Sequence, residues 1–359
     1  MRTSSFRNLA DNEVNTQSKN VFLVGENGQG KTNFLESVYF CAYASSFRGA
    51  SDSELVQTGG KSCSASAQFA DSFYNRVLIK FEHNKKTVFL DGKKLDDRRE
   101  LLSVVPCIVF CHEDMEFVAG TPERRRWFFD QNQSLYDPVY LDDLRKYRQV
   151  LKTRNALLKK GKIGGSSAVA SMLDAVDPQI ALYGLPLIEK RLSAVEHFSG
   201  VFSSLYEEVT GIDKIGIRYA SSWKSMTTEG IAASLWEHRE SDMASGITLT
   251  GPHRDRYIFN REGEEFSGKA STGQRRLLAL LLRVAQARRF SEITQKYPVL
   301  LLDDVLLELD PEKRRKFLEV MPEYDQAFYT FLPEEPFERY RKADTLVYHV
   351  VEGSIQETL

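Results

Sequence analysis

Residues 20–36 read NVFLVGENGQGKTNFLE, a stretch in which three glycines and one lysine separate a short β-branched apolar run from a segment with helical spacing. "VFLV" before Gly25 has the composition of a buried strand. After Lys31, the apolar residues Phe34, Leu35, Val38, Tyr39, Cys41 and Ala42 recur as on a helix. Strand, glycine-rich loop and helix follow in that order. Gly25-x-x-x-x-Gly30-Lys31-Thr32 fits the phosphate-binding loop in full, in the context that form requires. Glycines let backbone N–H groups converge on phosphate oxygens, where a Cβ would clash or forbid the dihedrals. The expected nucleotide contacts are Gly25, Glu26, Asn27, Gly28, Gln29, Gly30, Lys31, Thr32 and Asn33. Lys31 is expected to reach the β and γ phosphates, Thr32 to place its hydroxyl on Mg²⁺, and the helix start to add partial positive charge. ATP and Mg²⁺ are the implied ligands.

Such a loop needs an acid at the end of a neighbouring buried strand to hold the metal. "VLLLDD" supplies Asp303 for the metal and Asp304 to orient the attacking water as the catalytic acid beside Lys31. Taken alone, the two acids also read as helix caps at a strand end. The greater part of the chain lies between loop and acids, so a large insertion divides the head.

Organisation supports that division. Between residues 63 and 110, short alternating runs and the turn Asp91-Gly92 predict an antiparallel sheet. Thr121-Pro122-Glu123 and Asp137-Pro138 both write helix starts. A helix follows the second, with Tyr140, Leu141, Leu144, Tyr147, Leu151 and Leu158 on one face, ending at Gly161. "GKIGGSSA" breaks the chain before a partner helix expected from Asp177-Pro178 towards residue 209. A helix of about 23 residues reaches about 35 Å, a stubby arm. The domain expectation is therefore an α/β head in two parts, 1–118 and 237–359, with an inserted helical lobe over 119–236.

Composition bounds the rest. The 359 residues are 42% hydrophobic with a formal net charge of −2, so a nucleic-acid contact would need a local basic patch. No run of 18 apolar residues occurs and "MRTSSFRNLADNEV" lacks a secretory apolar core, so the expectation is a cytoplasmic protein with no membrane contact. The four cysteines form no C-x-x-C pair, and "CIVFC" reads as a buried strand. Cations cluster at Arg124-Arg125-Arg126 and again at Arg145, Lys146, Arg148, Lys152, Arg154, Lys159 and Lys160. Arg145, Arg148 and Lys152 fall on adjoining helical turns and could follow a phosphate backbone, although a solvated helix face produces the same pattern.

"SSFRN", "GENGQGKTNFLESVYF", "SSFRGASDSELV", "RRRWFFDQ", "LRKYRQVLKTRNALLK", "LTGPHRD", "STGQRR" and "LLLDDVLLELD" occur in one order over nearly the whole chain. In that order they resemble the RecF proteins of bacterial recombinational repair, relatives of the ABC and SMC ATPase heads. The resemblance implies an ABC-type P-loop ATPase head with an antiparallel β subdomain and the helical lobe inserted. It implies that Ser271, Thr272, Gly273 and Gln274 form the signature motif docking on a nucleotide held by a second subunit, and that Asp310 lies in the D-loop. "STGQ" alone also reads as a helix cap. Further implications are an ATP-dependent homodimer, binding of duplex DNA near single-stranded gaps, cooperation with RecR and RecO in loading RecA, a nucleoid-associated location, and slow, DNA-stimulated ATP hydrolysis.

The chain departs from the pattern in places. Asp304 stands where ABC heads carry glutamate, as RecF proteins do, and Cys111-His112 replaces a serine-proline before Glu113-Asp114. Glu113 is a metal or water contact in one reading, and with Asp114 a helix cap in another. Leu307 replaces a frequent serine, Thr330 is what the chain offers in place of a switch histidine, and Arg7 is the implied base contact. Two other classes share the phosphate loop. An ATPase subunit of a membrane transporter needs a coupling surface and a more compact insert, and a small-molecule kinase leaves "STGQ" and the late acids unexplained.

Overall fold

Strand Asn20–Val24 is buried at every position, which explains an unbroken apolar run with no polar alternation. In the computed structural model of the chain, residues 1–70, 73–97, 99–102, 104–164, 167–306 and 309–357 are described. They form two compact units, 1–114 with 287–359, and 115–286.

In the first unit this strand lies inside a six-stranded sheet. Its order is Ser354–Glu357, Thr345–Val351, Asn20–Val24, Gln326–Phe331, Val299–Leu302, Cys107–Phe110. All neighbours are parallel except the outer pair Thr345–Val351 and Ser354–Glu357. A second six-stranded sheet is antiparallel throughout, including Ser62–Gln68, Arg76–Glu82 and Lys85–Leu90. Asp91 and Gly92 turn with φ 48° and 80° between Leu90 and Lys93, as the sequence predicts. His83 and Asn84, at φ 49° and 59°, make a second turn of the same kind that the residue types announce less plainly.

Helix Lys31–Tyr43 contributes Phe34, Leu35, Val38 and Phe40 to one core shared with Ala65, Val77 and Ile79 of the antiparallel sheet and Val21, Leu23, Leu301 and Phe328 of the parallel one. A helix covered on both sides needs no polar face. The loop before it is thereby fixed to a rigid body.

The second unit contains helices Pro122–Ser134, Pro138–Gly164, Ser167–Thr210, Thr228–Glu237 and Arg239–Ser245, with a three-stranded antiparallel sheet ordered Glu264–Glu265, Arg256–Arg261, Ile215–Ala220. Thr121 caps the first helix by accepting from Arg124 N–H, and Asp137 accepts from Tyr140 N–H. Two expectations are corrected here. The helix expected to start at Asp177-Pro178 begins at Ser167 and runs through Pro178 and Pro186. An interior proline costs about 3 kcal/mol. Tertiary contacts offset it: Asp177 does not cap but pairs in mid-helix with buried Arg154, Nε to Oδ1 at 2.7 Å, and with Arg239 at 2.8 Å. The unit also ends at 286 rather than 236. Ile217 N–H donates to Ser199 Oγ, Arg191 donates to the Pro252 carbonyl and Arg154 to Thr248 Oγ1, which joins residues 211–265 to the long helices. Among the described residues, no helix is long and apolar enough to cross a membrane.

Candidate functional site

The glycines of the loop behave as the sequence requires. A Cβ on Gly25 would lie 2.4 Å from the Val350 carbonyl oxygen, and Gly28 and Gly30 have φ of 79° and 119°. Gly25 N–H donates to Phe331 O, and Asn8 Nδ2 donates to Gly28 O at 3.1 Å. Gln29 accepts from Gly353 N–H through its carbonyl and from Glu352 N–H through Oε1. Glu26, Asn27 and Gly28 are exposed. Gly30 occupies the N-cap of helix Lys31–Tyr43 and puts no side chain over its first amides, so those donors remain for an anion. Lys31 Nζ donates to the carbonyls of Gly25 at 2.5 Å and Glu26 at 3.1 Å, lying back on the loop it serves.

Thr32 Oγ1 donates to Asp303 Oδ1 at 2.8 Å. Asp303 and Asp304 follow strand Val299–Leu302, two strand positions away from the loop strand, with Gln326–Phe331 between. Burial first, then the adjacent Asp304 charge, raises the Asp303 carboxyl from 3.8 to about 6; the Thr32 and Thr330 hydroxyls oppose this and Glu113 adds to it. A hydroxyl and a half-buried carboxylate crowded by like charge fit the ligand requirement of a divalent cation, which takes oxygen donors and relieves such repulsion. The donor set therefore suits Mg²⁺ with a nucleoside triphosphate, through Thr32, Asp303 and Lys31.

Other expected residues are placed differently. Arg7 is committed to buried Glu36, Nε to Oε2 at 2.9 Å and Nη2 to Oε1 at 3.1 Å, which occupies the side chain implied for a base contact. Asn33 donates to Asn8 Oδ1 at 2.7 Å and accepts from Arg48 at 2.9 Å. Asp114 is buried and accepts from Cys111 N–H, so it caps the turn, whereas Glu113 is exposed and reaches Asp303 through its charge. Leu307 lies outside the described residues. Glu335, not singled out in the sequence, is buried, accepts from Leu332 N–H at 2.7 Å and feels the charges of Asp304 and Lys31. Burial raises its pKa, Asp304 adds to the rise, and Arg314 and Lys31 oppose it. Nothing in "LPEEP" marks one glutamate from the next.

In the second unit Ser271 and Gln274 form a reciprocal cap: Gln274 N–H donates to Ser271 Oγ at 3.2 Å and Ser271 N–H to Gln274 Oε1 at 2.8 Å. Ser271, Thr272 and Gly273 are exposed at the tip of helix Thr272–Thr294. Asp310, in the first unit, caps helix Pro311–Glu319, and its contact with Lys313 holds its pKa below the usual carboxylate range.

Arg145, Arg148 and Lys152 are exposed on helix Pro138–Gly164, with Arg148 3.6 Å from Asp130. Three other members of the cation clusters are withdrawn from that surface. Arg154 is fully buried between Asp177 and Asp242, Arg125 donates to the Val118 and Tyr257 carbonyls, and Arg126 to Asp255 O. Residues of "LTGPHRD" are tied into this unit by hydrogen bonds. Pro252 O accepts from Arg191 at 2.7 Å, His253 lies between Tyr147 and Thr248, and Asp255 accepts from Ser222 and Tyr219. Arg191 also pairs with Asp130 at 2.7 Å.

Residues 1–354 match the model of the RecF/RecN/SMC N-terminal domain family. The chain is 43% identical over 359 residues to a DNA replication and repair protein RecF of Treponema pallidum, covering 99% of this chain and 100% of that one. It is 31% identical to the RecF of Clostridium kluyveri, over 92% of this chain and 91% of that one. A solved structure of the recombination mediator protein RecF with ATP, of the RecFOR pathway, superposes with a TM-score of 0.86 at 27% identity, covering 100% of this chain and 96% of that one.

Proposed function

The chain belongs to the RecF family, ATPases with an ABC/SMC-type head, and from that premise we propose an ATP-switched DNA-binding factor of recombinational repair. The observation that carries the reading is the contact of Thr32 with Asp303 beside Lys31, which assembles metal and phosphate donors from opposite ends of the sequence.

In this reading the loop amides from Gly25 to Asn33 and Lys31 hold the triphosphate, while Thr32 and Asp303 hold Mg²⁺. The metal, when bound, neutralises charge on the phosphate oxygens. Lys31 leaves the Gly25 and Glu26 carbonyls for the β and γ phosphates, and Asp304 accepts a hydrogen bond from the attacking water. Ser271 to Gln274, an exposed helix tip, meet the γ-phosphate bound by a second copy, with Asp310 at the same seam. Two copies then close on two nucleotides.

The closed homodimer binds duplex DNA beside a single-stranded gap through Arg145, Arg148 and Lys152, works with RecR and RecO to load RecA, and is reset by slow, DNA-stimulated hydrolysis. Its place of action is the cytoplasmic nucleoid. The transporter reading is disfavoured because the likeness to RecF runs through the inserted lobe as well as the head.

Titration of a gapped duplex against the purified chain, with and without ATP, tests the reading when oligomeric state is recorded in parallel. Tighter DNA binding together with dimer formation on ATP is expected. DNA affinity indifferent to ATP would count against it.

A further inference from the structure

Asp304 adopts a backbone conformation that residues with a Cβ rarely take, φ 52°, directly after a buried strand. A left-handed aspartate persists where its surroundings over-determine it. Thr330 does so here. Its hydroxyl oxygen accepts from Asp304 N–H at 2.8 Å and donates to Asp304 Oδ1 at 2.7 Å, so one side chain grips the backbone and the carboxylate of the same residue.

The same oxygen lies 3.3 Å from Asp303 Oδ1, while Asp303 takes its closer donor from Thr32 at 2.8 Å. A hydroxyl carries one proton, and the distances allot that of Thr330 to Asp304. Two adjacent carboxylates are thus served by two different threonines, which keeps them apart in role. Among the described residues, nothing donates to Asp304 Oδ2.

Thr330 is itself held. It is buried, paired in register with Leu23 of the loop strand, and its neighbour Phe331 accepts from Gly25 N–H through the carbonyl. The end of strand Gln326–Phe331 therefore sets both the first glycine of the phosphate loop and the acid opposite it. A β-branched side chain has few rotamers to lose.

We propose that Thr330 is the positioning residue of the ATPase, fixing Asp304 through its N–H and Oδ1 so that Oδ2 is presented to the attacking water. This rests on the ATPase reading and adds to it the group that aims the acid. The water oxygen forms the new bond to the γ-phosphorus. The bond from that phosphorus to the β–γ bridging oxygen breaks, with its electron pair leaving on ADP, and the water proton passes by way of Asp304 to solvent. Thr330 keeps its own proton throughout. Without the hydroxyl, Asp304 loses its N–H acceptor and its carboxylate donor together, and the direction of Oδ2 is no longer held. The nucleotide contacts belong to other residues and remain.

The experiment measures kcat for ATP and the Kd of a fluorescent ATP analogue for the wild-type chain, Thr330→Val, Thr330→Ser, Asp304→Asn and the Thr330→Val/Asp304→Asn double variant. Thr330→Val is expected to lower kcat on the order of 10- to 100-fold, the loss typical of a misplaced catalytic group, with Kd changed less than about twofold. Thr330→Ser recovers most of the turnover, and the double variant is no slower than Asp304→Asn alone. Where Thr330→Val does not keep the wild-type unfolding midpoint, Thr330→Ala takes its place, and the serine variant must still turn over. Wild-type kcat in Thr330→Val, a serine variant as slow as valine, or losses that multiply in the double variant would overturn the assignment. A wild-type chain that binds no ATP overturns the ATPase reading and this assignment with it, whereas normal wild-type turnover with an unaffected valine variant overturns the assignment alone.

Discussion

Thr32 Oγ1 donates to Asp303 Oδ1 at 2.8 Å although 271 positions separate the two in sequence. Because burial and the neighbouring Asp304 push the Asp303 carboxyl up to about 6, its ionised form is disfavoured in the folded chain. An acid whose folded pKa exceeds its unfolded value of 3.8 contributes a penalty that is absent below that value and complete above about 6.

Asp303→Asn is therefore expected to separate stability from activity. Without Mg²⁺ at pH 7 the variant is more stable than the wild type, by at most about 3 kcal/mol. Its Mg²⁺-dependent turnover falls on the order of 100-fold or more. Chemical unfolding without metal and phosphate release across a Mg²⁺ titration measure the two effects.

Asp304→Asn is expected to bind ATP and close while turning over on the order of 100-fold more slowly, since the amide offers the water a weaker acceptor. Single-turnover phosphate release alongside sedimentation checks both halves. Phosphate release at the wild-type rate would remove Asp304 from the role assigned to it.

Reversal of Arg145 and Arg148 to glutamate is expected to weaken DNA binding at least about tenfold and to lower the slope of log K against log salt by about 2, one for each lost phosphate contact. Both side chains are exposed, and ATP-dependent dimer formation should persist. Gel shifts over a salt series decide it, and unchanged shifts would place the DNA path elsewhere.

His253 makes the second unit sensitive to acid. Its Nε2 donates to the Thr248 carbonyl at 2.9 Å, which assigns the proton to that nitrogen, and Nδ1 accepts from Tyr147 OH at 2.7 Å. Burial, with Arg254, Arg126 and Arg154 nearby, lowers its pKa from 6.5 to about 4. A folded pKa below the unfolded one gives a neutral ring whose stabilisation is complete above 6.5 and is lost as pH falls towards 4. The loss is at most about 3 kcal/mol. Denaturant unfolding at pH 7 and pH 4.5 should show a smaller pH difference for His253→Gln than for the wild type, and an equal difference would contradict this.

Much of the candidate site's geometry was legible because its strand, loop and helix depend on residue types that few other structures need. Gly25, Gly28, Gly30, Lys31 and Thr32 specify backbone geometry and a charge within one loop, and Asp303 follows a strand whose burial its neighbours announce. The helix starts at Thr121-Pro122 and Asp137-Pro138 were legible for the same reason. What failed were readings in which a distant partner decides. Asp177-Pro178 has the local chemistry of a helix start, but buried Arg154 reaches Asp177 from another helix and the chain continues through as helix. Arg7 has the chemistry of a ligand contact until Glu36 takes it. The end of the second unit was hidden because Ser199, Arg191 and Arg154 join it to later segments by single hydrogen bonds that carry no local pattern.

In the proposed dimer one triphosphate is shared between the loop at Lys31 of one copy and the helix tip at Ser271 of another. Sedimentation of the wild-type chain, Lys31→Ala and Ser271→Arg with and without ATP tests it most directly. The expected result is a dimer that forms on ATP only for the wild type, with Ser271→Arg still binding nucleotide as a monomer. An Ser271→Arg chain that dimerises on ATP as fully as the wild type would contradict the claim.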